Sequence, residues 1–400
     1  MIQRVCLATF IALVGAVAYG QSSRPSPAPA PLFPVPAQLQ TRVAFWERIF
    51  STYAERITIL HDRENPGLIL DILDFQSARI QRLFPSFTRE QVTAFYVQRY
   101  QQAFSRFRSL GKGALRYGAI EARLLSVYGK APGGRAALFW GHPQVHAQKG
   151  LSGTFRQAAQ RAQPFLPLME KIFRKKGLPP ILTRLPFVES MFQGEALSSV
   201  GALGVWQFMK STAKQYMIVN HFIDERRSPI KATHAAAMLL SENYEVFHSW
   251  PLALTAYNFG RGNLEKAVKK LHTHDFIQIL ERNDMRAFGF AGKNFYAEFI
   301  AACRVYAKLQ EEKIFVSSVR SQAQQLAILQ PRNNMSISEI LRKTLVTQRM
   351  LEIWNPGLNP SAFTYFRNDH LPSAYSLIIP QSFLPSVKKA FYGIESAGFL

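Results

Sequence analysis

The sequence is poor in cysteine and in acidic residues. Two cysteines among 400 residues exclude a disulfide scaffold and a zinc site built from several cysteines. Only 26 Asp and Glu residues stand against 48 Lys and Arg, so the formal net charge of +22 arises from scarce acids. Such a charge favours a polyanionic partner: a nucleic acid, an anionic membrane surface or an acidic cell-wall polymer. Composition does not choose among them.

What the chain does have is apolar content and length. A hydrophobic fraction of 48% is enough for a sizeable core and excludes wholesale disorder. The length predicts about two or three domains of roughly 150 residues each. The histidines, among them His221, His234 and His248, lack the clustering of metal ligands. We therefore expect neither a metal site nor a cofactor.

The first twenty residues have the features of a secretory signal peptide. Arg4 supplies a positive start, residues 5–18 are almost wholly apolar, and Ala18 and Gly20 are small residues at the two positions that matter for cleavage. The apolar run is short for a membrane span of about 20 residues, and an uncleaved N-terminal anchor is the alternative. Cys6 lies inside the run, which argues against a lipoprotein anchor. We expect an exported protein of the periplasm or cell envelope, which makes a nucleic-acid partner unexpected.

Residues 21–160 divide into a linker and a helical region. Residues 21–40 carry prolines at near-alternate positions, which predicts an extended tether: Pro25, Pro27, Pro29, Pro31, Pro34 and Pro36. Residues 41–160 show apolar side chains at three- and four-residue steps, as at Trp46, Ile49 and Phe50, and predict a helical N-terminal region. Aromatic stripes at this spacing are interpreted as core.

The rest of the chain predicts an all-α domain and a smaller module. Residues 161–312 are strongly helix-patterned, with helix starts at Pro179-Pro180, Ser228-Pro229 and Pro251. Residues 313–400 change in composition: two helices at 337–354 end at Asn355-Pro356, and a strand follows at 374–380. The expected fold is mainly α, with a small α+β C-terminal module.

Glu189 is the first candidate for chemistry because it lies among apolar neighbours. The local sequence is Leu-Pro-Phe-Val-Glu-Ser-Met-Phe. A buried carboxylate without a cationic partner has a raised pKa, because desolvation penalises the charged form. Glu189 would then stay protonated near neutrality, as a general acid requires. A glutamate that faces solvent at a helix end is the alternative.

Two further segments combine aromatic rings, amides and glycines. Gly201-Ala202-Leu203-Gly204-Val205-Trp206-Gln207 offers close-approach glycines, a ring and an amide, and Ala256-Tyr257-Asn258-Phe259-Gly260 adds a phenol and a second amide. Rings and amide hydrogen-bonding groups suit an N-acetylated sugar in a groove. Ordinary helix packing with a C-terminal glycine is the alternative for each segment alone.

The three segments together resemble a known catalytic domain. Glu189-Ser190, then Gly204-Val205-Trp206-Gln207, then Ala256-Tyr257-Asn258 are similar to the successive motifs of the soluble lytic transglycosylase (SLT) domain, glycoside hydrolase family 23. That family is related in fold to goose-type lysozyme. The resemblance is strong over residues 165–308 and weaker before them.

The resemblance implies cleavage of the β-1,4 bond between N-acetylmuramic acid and N-acetylglucosamine in peptidoglycan. Glu189 would act as both acid and base, the substrate's acetamido group would assist, and a 1,6-anhydromuramic end would form. Substrate-assisted enzymes are exceptions to the two-carboxylate rule, so a second carboxylate is not required. Ser190, Gly204, Gln207 and Asn258 match substrate-contacting positions, and Tyr257 matches the residue that orients the glutamate.

At two positions the resemblance does not assign a role to a single residue. The family has a tyrosine on a later helix. The best gapless register places Phe295 there, whereas a shift of one residue places Tyr296 there as a substrate contact. Glu195, in the turn after Glu189, is expected to be a solvated loop acid. If it faced the groove, it could position a water molecule for hydrolysis. Asp224 and the neighbouring charged residues are expected to form surface ion pairs.

The C-terminal module resembles a degenerate LysM repeat, a glycan-binding unit, and a non-binding structural cap is the alternative. The expected partner is the peptidoglycan glycan strand, with peripheral association to the cell envelope and a monomeric chain. Two other functions stay open. One is a lysozyme-type muramidase that hydrolyses the same bond, and the other is a catalytically silent peptidoglycan-binding scaffold.

Overall fold

The computed structural model describes residues 31–110, 118–283, 285, 288–312, 326–329, 335–391 and 396–399. The predicted signal peptide and the first half of the predicted linker, residues 21–30, lie outside these residues. Within them the chain is mainly helical, as the sequence predicts. Every helix in this part of the chain is too short or too polar to cross a membrane.

Helix α1 (Ala37–Ser51) is followed by a small α+β module at residues 57–149. The module contains β1 (Ile57–Asp62), β2 (Ile69–Asp74), α2 (Ala78–Leu83), α3 (Arg89–Leu110), α4 (Ala119–Gly129), α5 (Gly134–Trp140) and β3 (Val145–Lys149). The strands form an antiparallel sheet in the order β2-β1-β3, with Ile59 opposite Ile72. Leu60 of the sheet and Tyr100 of α3 share a core that belongs to this module.

The prediction of an entirely helical region at residues 41–160 is therefore wrong for these three strands. β1 pairs with β3, which lies at the opposite end of the module. Local periodicity cannot reveal a pairing between distant segments, and a six-residue strand is too short to show a clear alternation. Other parts of this region do form helices, among them α3 and α4.

Residues 152–311 form the helical region that the sequence predicts. Its elements are α6 (Ser152–Ala162), α7 (Leu166–Lys175), a 3-10 helix (Pro180–Arg184), α8 (Leu185–Glu189), α9 (Lys210–Ala213), a second 3-10 helix (Glu225–Arg227), α10 (Pro229–Phe247), α11 (Trp250–Phe259), α12 (Arg261–Leu271), α13 (Phe276–Arg282) and α14 (Phe290–Glu311). The predicted helix start at Ser228-Pro229 is confirmed, since the Ser228 hydroxyl accepts a hydrogen bond from the amide of Lys231.

One hydrophobic core joins α1 to the helices that follow the inserted module. Buried side chains of this core range from Leu39 on α1 to Leu309 on α14. Asn294 of α14 accepts hydrogen bonds from Trp46 Nε1 and Arg42 Nη1 of α1, both at 3.0 Å. The module at 57–149 is thus an insertion between α1 and α6. The predicted boundary at residue 160 does not follow this core, because packing partners are set by tertiary contacts.

The end of the predicted linker is part of the packed structure. The Phe33 ring lies 5.9 Å from the Trp250 ring and 5.7 Å from the Phe299 ring, measured between centroids. Helix α1 begins at Ala37, directly after Pro36. Residues 31–36 therefore lie against the helical core and do not behave as a free tether.

The C-terminal module has the α+β composition that the sequence predicts. It contains β4 (Leu326–Leu329), α15 (Ile337–Lys343), α16 (Gln348–Trp354), α17 (Pro360–Tyr365), β5 (Leu377–Pro380), a 3-10 helix (Gln381–Phe383), α18 (Leu384–Ala390) and β6 (Ser396–Phe399). The sheet is antiparallel in the order β5-β4-β6. Buried Asn355 ends α16 and exchanges two 2.8 Å hydrogen bonds with the main chain of Ile378, which joins that helix to the sheet.

Candidate active site

Glu189 is the last residue of α8, a short helix whose orientation is set by Phe187. The Phe187 side chain is fully buried, and its ring centroid lies 4.9 Å from that of Phe155 on α6 and 5.0 Å from that of Tyr306 on α14. Proline at the first turn of α8 costs no hydrogen bond, because that amide has no partner within a helix. The packing of one aromatic residue between two helices thus places the glutamate.

The chain turns sharply after Glu189. Met191 and Phe192 have positive φ angles of 51° and 55°. Residues other than glycine adopt such backbone angles only at an energetic cost. Arg161 on α6 donates to the Met191 carbonyl through Nη2 at 2.8 Å and thereby holds the turn. Ser190 donates its hydroxyl to the Val205 carbonyl at 2.8 Å. This bond ties the Glu189 segment to the Gly-Val-Trp-Gln motif.

We call residues 201–208, which contain this motif, the substrate loop, because the resemblance predicts substrate contacts at Gly204 and Gln207. Gly204 has a φ of 81°, and a Cβ atom there would lie 1.9 Å from the Arg226 carbonyl oxygen, so only glycine fits. Gln207, at a φ of 48°, donates its amide to the carbonyls of Ala196 and Gly204, both at 2.9 Å. The loop is a tightly folded turn with its own side-chain hydrogen bonds.

Trp206 anchors the substrate loop in the core. Its side chain is fully buried, its indole donates to the Thr233 hydroxyl at 2.9 Å, and its ring stacks on Phe173 at 5.8 Å. For this ring the structure supports the alternative of ordinary packing, and the ring is not exposed for stacking on a sugar. Large aromatic side chains gain most by complete burial, and sequence alone does not tell an inward ring from an outward one.

Tyr257 of α11 lies beside Glu189. Its hydroxyl donates to the Trp206 carbonyl at 2.8 Å. Burial, together with the negative charge of Glu189, raises the pKa of Tyr257 well above its ordinary value. Tyr257 is therefore a neutral hydrogen-bonding group at working pH. Asn258, the next residue, is exposed at the end of the same helix.

Glu189 is held in its protonated form by its surroundings. Burial, and secondarily the charge of Glu298, raises the pKa of Glu189 to about 8. The raised pKa agrees with what the apolar neighbours of Glu189 in the sequence indicate. Both residues keep an intermediate solvent exposure, although burial is the main cause of each raised pKa.

Glu298 on α14 is the residue that sequence reasoning missed. Burial raises its pKa to about 8 as well. The sequence did contain an indication of this residue, because Glu298 is the single acid in the apolar run from Phe295 to Cys303. Glu189 likewise lies among apolar neighbours. What the sequence could not show is that α8 and α14 pack together, so that the two carboxyl groups interact.

Two predicted candidates lie away from this cluster. The Tyr296 side chain is 1% exposed, and its hydroxyl donates to the Pro34 carbonyl at 2.9 Å. The prediction of a substrate contact at Tyr296 is not supported, because the N-terminal segment takes up this hydroxyl. Phe295, the other register, is also buried. Glu195 forms an ion pair with Arg227 and is 67% exposed, in agreement with a solvated loop acid.

Ion pairs form around Asp224 as predicted, but two of them are buried, so the prediction that they lie on the surface is wrong. Arg226 binds Asp224 and Lys231 binds Glu225 at 2.7 and 2.6 Å, and all four side chains are largely buried. Of the residues that the structure describes, no three His, Cys, Asp or Glu side chains come together as metal ligands.

Comparison with known proteins locates the similarity in the same region. The sequence model of the family described as "Transglycosylase SLT domain" matches residues 168–279. A stretch of 111 residues is 34% identical to "Membrane-bound lytic murein transglycosylase D" of Escherichia coli (strain K12). The aligned stretch covers 27% of this chain and 25% of that protein. The same protein from E. coli O6:H1 matches with the same figures. The chain thus spans about a quarter of the length of these relatives.

Among solved structures, the chain is similar to an inactive mutant of the lytic transglycosylase Slt from Pseudomonas aeruginosa. The superposition has a TM-score of 0.32 and 20% sequence identity, and it covers 59% of this chain and 36% of that chain.

Proposed function

We propose that this chain, whose residues 168–279 form a transglycosylase SLT domain, is a peptidoglycan lytic transglycosylase that uses Glu189 as its acid and base. The observation that carries the proposal is the state of Glu189: a carboxyl group with its pKa raised to about 8 by burial, beside Tyr257 and the substrate loop. Three sequence segments meet there that resemble the motifs of one catalytic domain.

The first step is proton donation to the glycosidic oxygen. With a pKa of about 8, Glu189 carries its proton at neutral pH and can give it to the leaving sugar. The acetamido group of the N-acetylmuramic acid residue assists the departure. The resulting Glu189 carboxylate can then accept the proton of the 6-hydroxyl group as the 1,6-anhydro ring closes. One residue thus serves as acid and then as base, and no water enters the product.

Glu298 has a supporting place in this scheme. Its pKa is also raised, so it does not supply a standing carboxylate nucleophile at neutral pH. Two carboxyl groups that interact at close quarters resist the loss of a second proton. Glu298 therefore helps to keep Glu189 protonated, and the substrate's own acetamido group replaces a second catalytic carboxylate.

Substrate contacts are proposed for the residues around Glu189. Ser190, Gly204, Gln207, Tyr257 and Asn258 lie on the three segments that converge at Glu189. Neutral hydroxyl and amide groups suit the hydroxyl and acetamido groups of the glycan. The net charge of +22 attracts a wall polymer that carries lactyl and peptide carboxylates.

The C-terminal module is proposed to be LysM-like. The supporting observations are the order β4, α15, α16 and β5 and the Asn355 bonds that join α16 to the sheet. Hydrogen exchange on the full chain with N-acetylglucosamine oligomers tests glycan binding there. Protection confined to the segments around Glu189 would leave the module as a structural cap.

We further propose export to the periplasm, peripheral association with the cell envelope and a monomeric chain. The signal-peptide features of residues 1–20 support export. A relative named as membrane-bound supports an envelope location. Cell fractionation with an antibody to this chain tests the location, and recovery from the cytoplasm alone would contradict it.

The decisive experiment digests purified sacculi and weighs the products. We expect anhydro-muropeptides from the wild type and none from a folded Glu189→Gln variant. Glu195→Gln is the matched control, because it removes a nearby carboxylate that is exposed and ion-paired, and it should remain active. Products heavier by one water molecule would establish a muramidase in place of a transglycosylase. Sacculus binding without any release would establish a silent scaffold.

A further inference from the structure

Arg226 is a buried arginine that clamps both ends of the substrate loop. It is 7% exposed and lies in the 3-10 helix before α10. Its Nη1 donates to the Gly201 carbonyl at 2.9 Å and to the Phe208 carbonyl at 3.1 Å, at the first and last residues of the loop. Asp224 accepts from Nε at 2.9 Å and from Nη2 at 2.7 Å and so fixes the guanidinium plane.

The main chain of Arg226 also limits the loop. The loop passes so close to the Arg226 carbonyl that a Cβ atom on Gly204 would lie 1.9 Å from it. The Arg226 side chain therefore holds the two ends of the loop, and the Arg226 main chain limits how closely Gly204, in its middle, can approach. A planar guanidinium with several fixed donors can do this, whereas the ammonium of a lysine cannot bind two carbonyls and a carboxylate in the same geometry.

The clamped loop bears directly on the catalytic carboxyl group. The Val205 carbonyl accepts from Ser190, which follows Glu189, and the Trp206 carbonyl accepts from Tyr257, whose ring lies beside Glu189. A displacement of the loop would move both partners and let water reach Glu189.

The segment that carries Arg226 is held in turn by the C-terminal module. The Asp224 amide donates to the Gly357 carbonyl at 2.8 Å, and Asn359 donates to the carbonyls of Phe222 and His221 at 2.9 and 2.8 Å. Ile223 is fully buried among the core residues of the module.

A second attachment lies at the start of α10. The Lys231 ammonium lies 3.3 Å from the ring centroid of Tyr375 in the C-terminal module and 2.6 Å from Glu225. Glu225 also accepts from the Ile218 amide at 2.8 Å. The residues on both sides of Arg226 are thus fastened to the C-terminal module.

We propose that Arg226 is a positioning residue for the Glu189 site and that the C-terminal module acts through it as a structural part of the active site. This inference rests on the proposed function. It assigns the module a task that does not require glycan binding, because the module supports the residues that hold the substrate loop.

The test compares two neighbouring arginines. Arg226→Lys and Arg226→Gln are measured against Arg227→Lys and Arg227→Gln, since Arg227 pairs with the exposed Glu195. Circular dichroism first establishes which variants are folded at the assay temperature. We expect the folded Arg226 variants to lose about 10- to 100-fold in kcat on peptidoglycan fragments, with a smaller change in KM. The Arg227 variants should keep the wild-type kcat.

The pH profile separates positioning from a general loss of stability. Among the residues that the structure describes, the titratable groups that interact with Glu189 are Glu298 on α14 and Tyr257 on α11. If the loop moves, Glu189 becomes better solvated, and the basic limb of the rate profile moves to lower pH in the Arg226 variants. A loss of stability alone would lower the rate by the same factor at every pH and leave the basic limb in place.

A second pair of variants tests the C-terminal module. Tyr375→Leu removes the ring that faces the Lys231 ammonium, whereas Tyr375→Phe keeps it. We expect Tyr375→Leu to shift kcat and the basic limb in the same direction as Arg226→Lys, and Tyr375→Phe to leave both unchanged. Folded Arg226 and Tyr375→Leu variants with the wild-type kcat and pH profile would overturn the inference. A wild type that releases no product would instead overturn the proposed function.

Discussion

The Tyr257 hydroxyl donates a 2.8 Å hydrogen bond to the main-chain carbonyl of Trp206. This bond joins α11 to the substrate loop beside Glu189. Trp206 is locked in the core by its bond to Thr233, so its carbonyl is a fixed acceptor. The phenol is therefore held by the loop, and its position relative to the Glu189 carboxyl group follows from that attachment.

Tyr257→Phe is expected to reduce kcat by about 10- to 100-fold, because the bond that sets the ring and loop beside Glu189 is lost. The free energy of unfolding should fall by about 1–3 kcal/mol, because the Trp206 carbonyl loses its partner. Tyr216→Phe is the matched control, since that hydroxyl donates to the Glu242 side chain and not to the Trp206 carbonyl. Equal kcat values in the two variants would contradict the role of Tyr257.

Glu298→Gln is expected to move the basic limb of the pH–rate profile to lower pH. Negative charge on Glu298 raises the pKa of Glu189, so its removal lowers that pKa from about 8. The acid must be protonated to act, and above its pKa the protonated fraction falls about tenfold for each pH unit. The rate at pH 8 should therefore fall while the rate at pH 6 changes little.

The control for Glu298 is Glu311→Gln, which removes an exposed acid from the end of the same helix. Its profile should match the wild type. An unchanged basic limb in Glu298→Gln would show that the two carboxyl groups titrate independently.

A series of glycine substitutions is expected to separate backbone strain from steric conflict. Gly194→Ala should change the free energy of unfolding by less than about 0.5 kcal/mol, because space around it is open. Gly201→Ala should cost about 1–2 kcal/mol for its φ of 87° alone. Gly204→Ala should cost about 3–5 kcal/mol, because the clash with the Arg226 carbonyl adds to the strain. Urea denaturation measures all three, and similar values at Gly201 and Gly204 would refute the close approach.

Tyr296→Phe is expected to leave kcat within about twofold of the wild type, because its hydroxyl is bonded to the Pro34 carbonyl. The variant should lose about 1 kcal/mol of unfolding free energy. Steady-state kinetics and thermal denaturation check both values. A large loss of kcat at unchanged stability would restore the prediction that this tyrosine contacts substrate.

Much of the helical architecture was predictable because it depends on neighbouring residues. The Ser228 cap followed by proline marks the start of α10, and the apolar spacing around Trp46 marks α1. The strands at Ile57–Asp62 and Val145–Lys149 were missed, since their pairing joins distant segments. The apolar neighbours of Glu189 indicated a raised pKa, but the second carboxyl group of Glu298 comes from another helix.

By itself, the sequence determined the three motif segments, the mainly helical character and the excess of positive charge, because these depend on residue type and local spacing. Only the tertiary structure decided which side chains surround Glu189. It buried Trp206, turned Tyr296 towards Pro34 and brought Glu298 to Glu189. It also buried Arg226, which the sequence predicted to lie in a surface ion pair, and bonded it to both ends of the substrate loop. The reason is that burial and charge interaction depend on which helices pack together, and no local pattern specifies that packing.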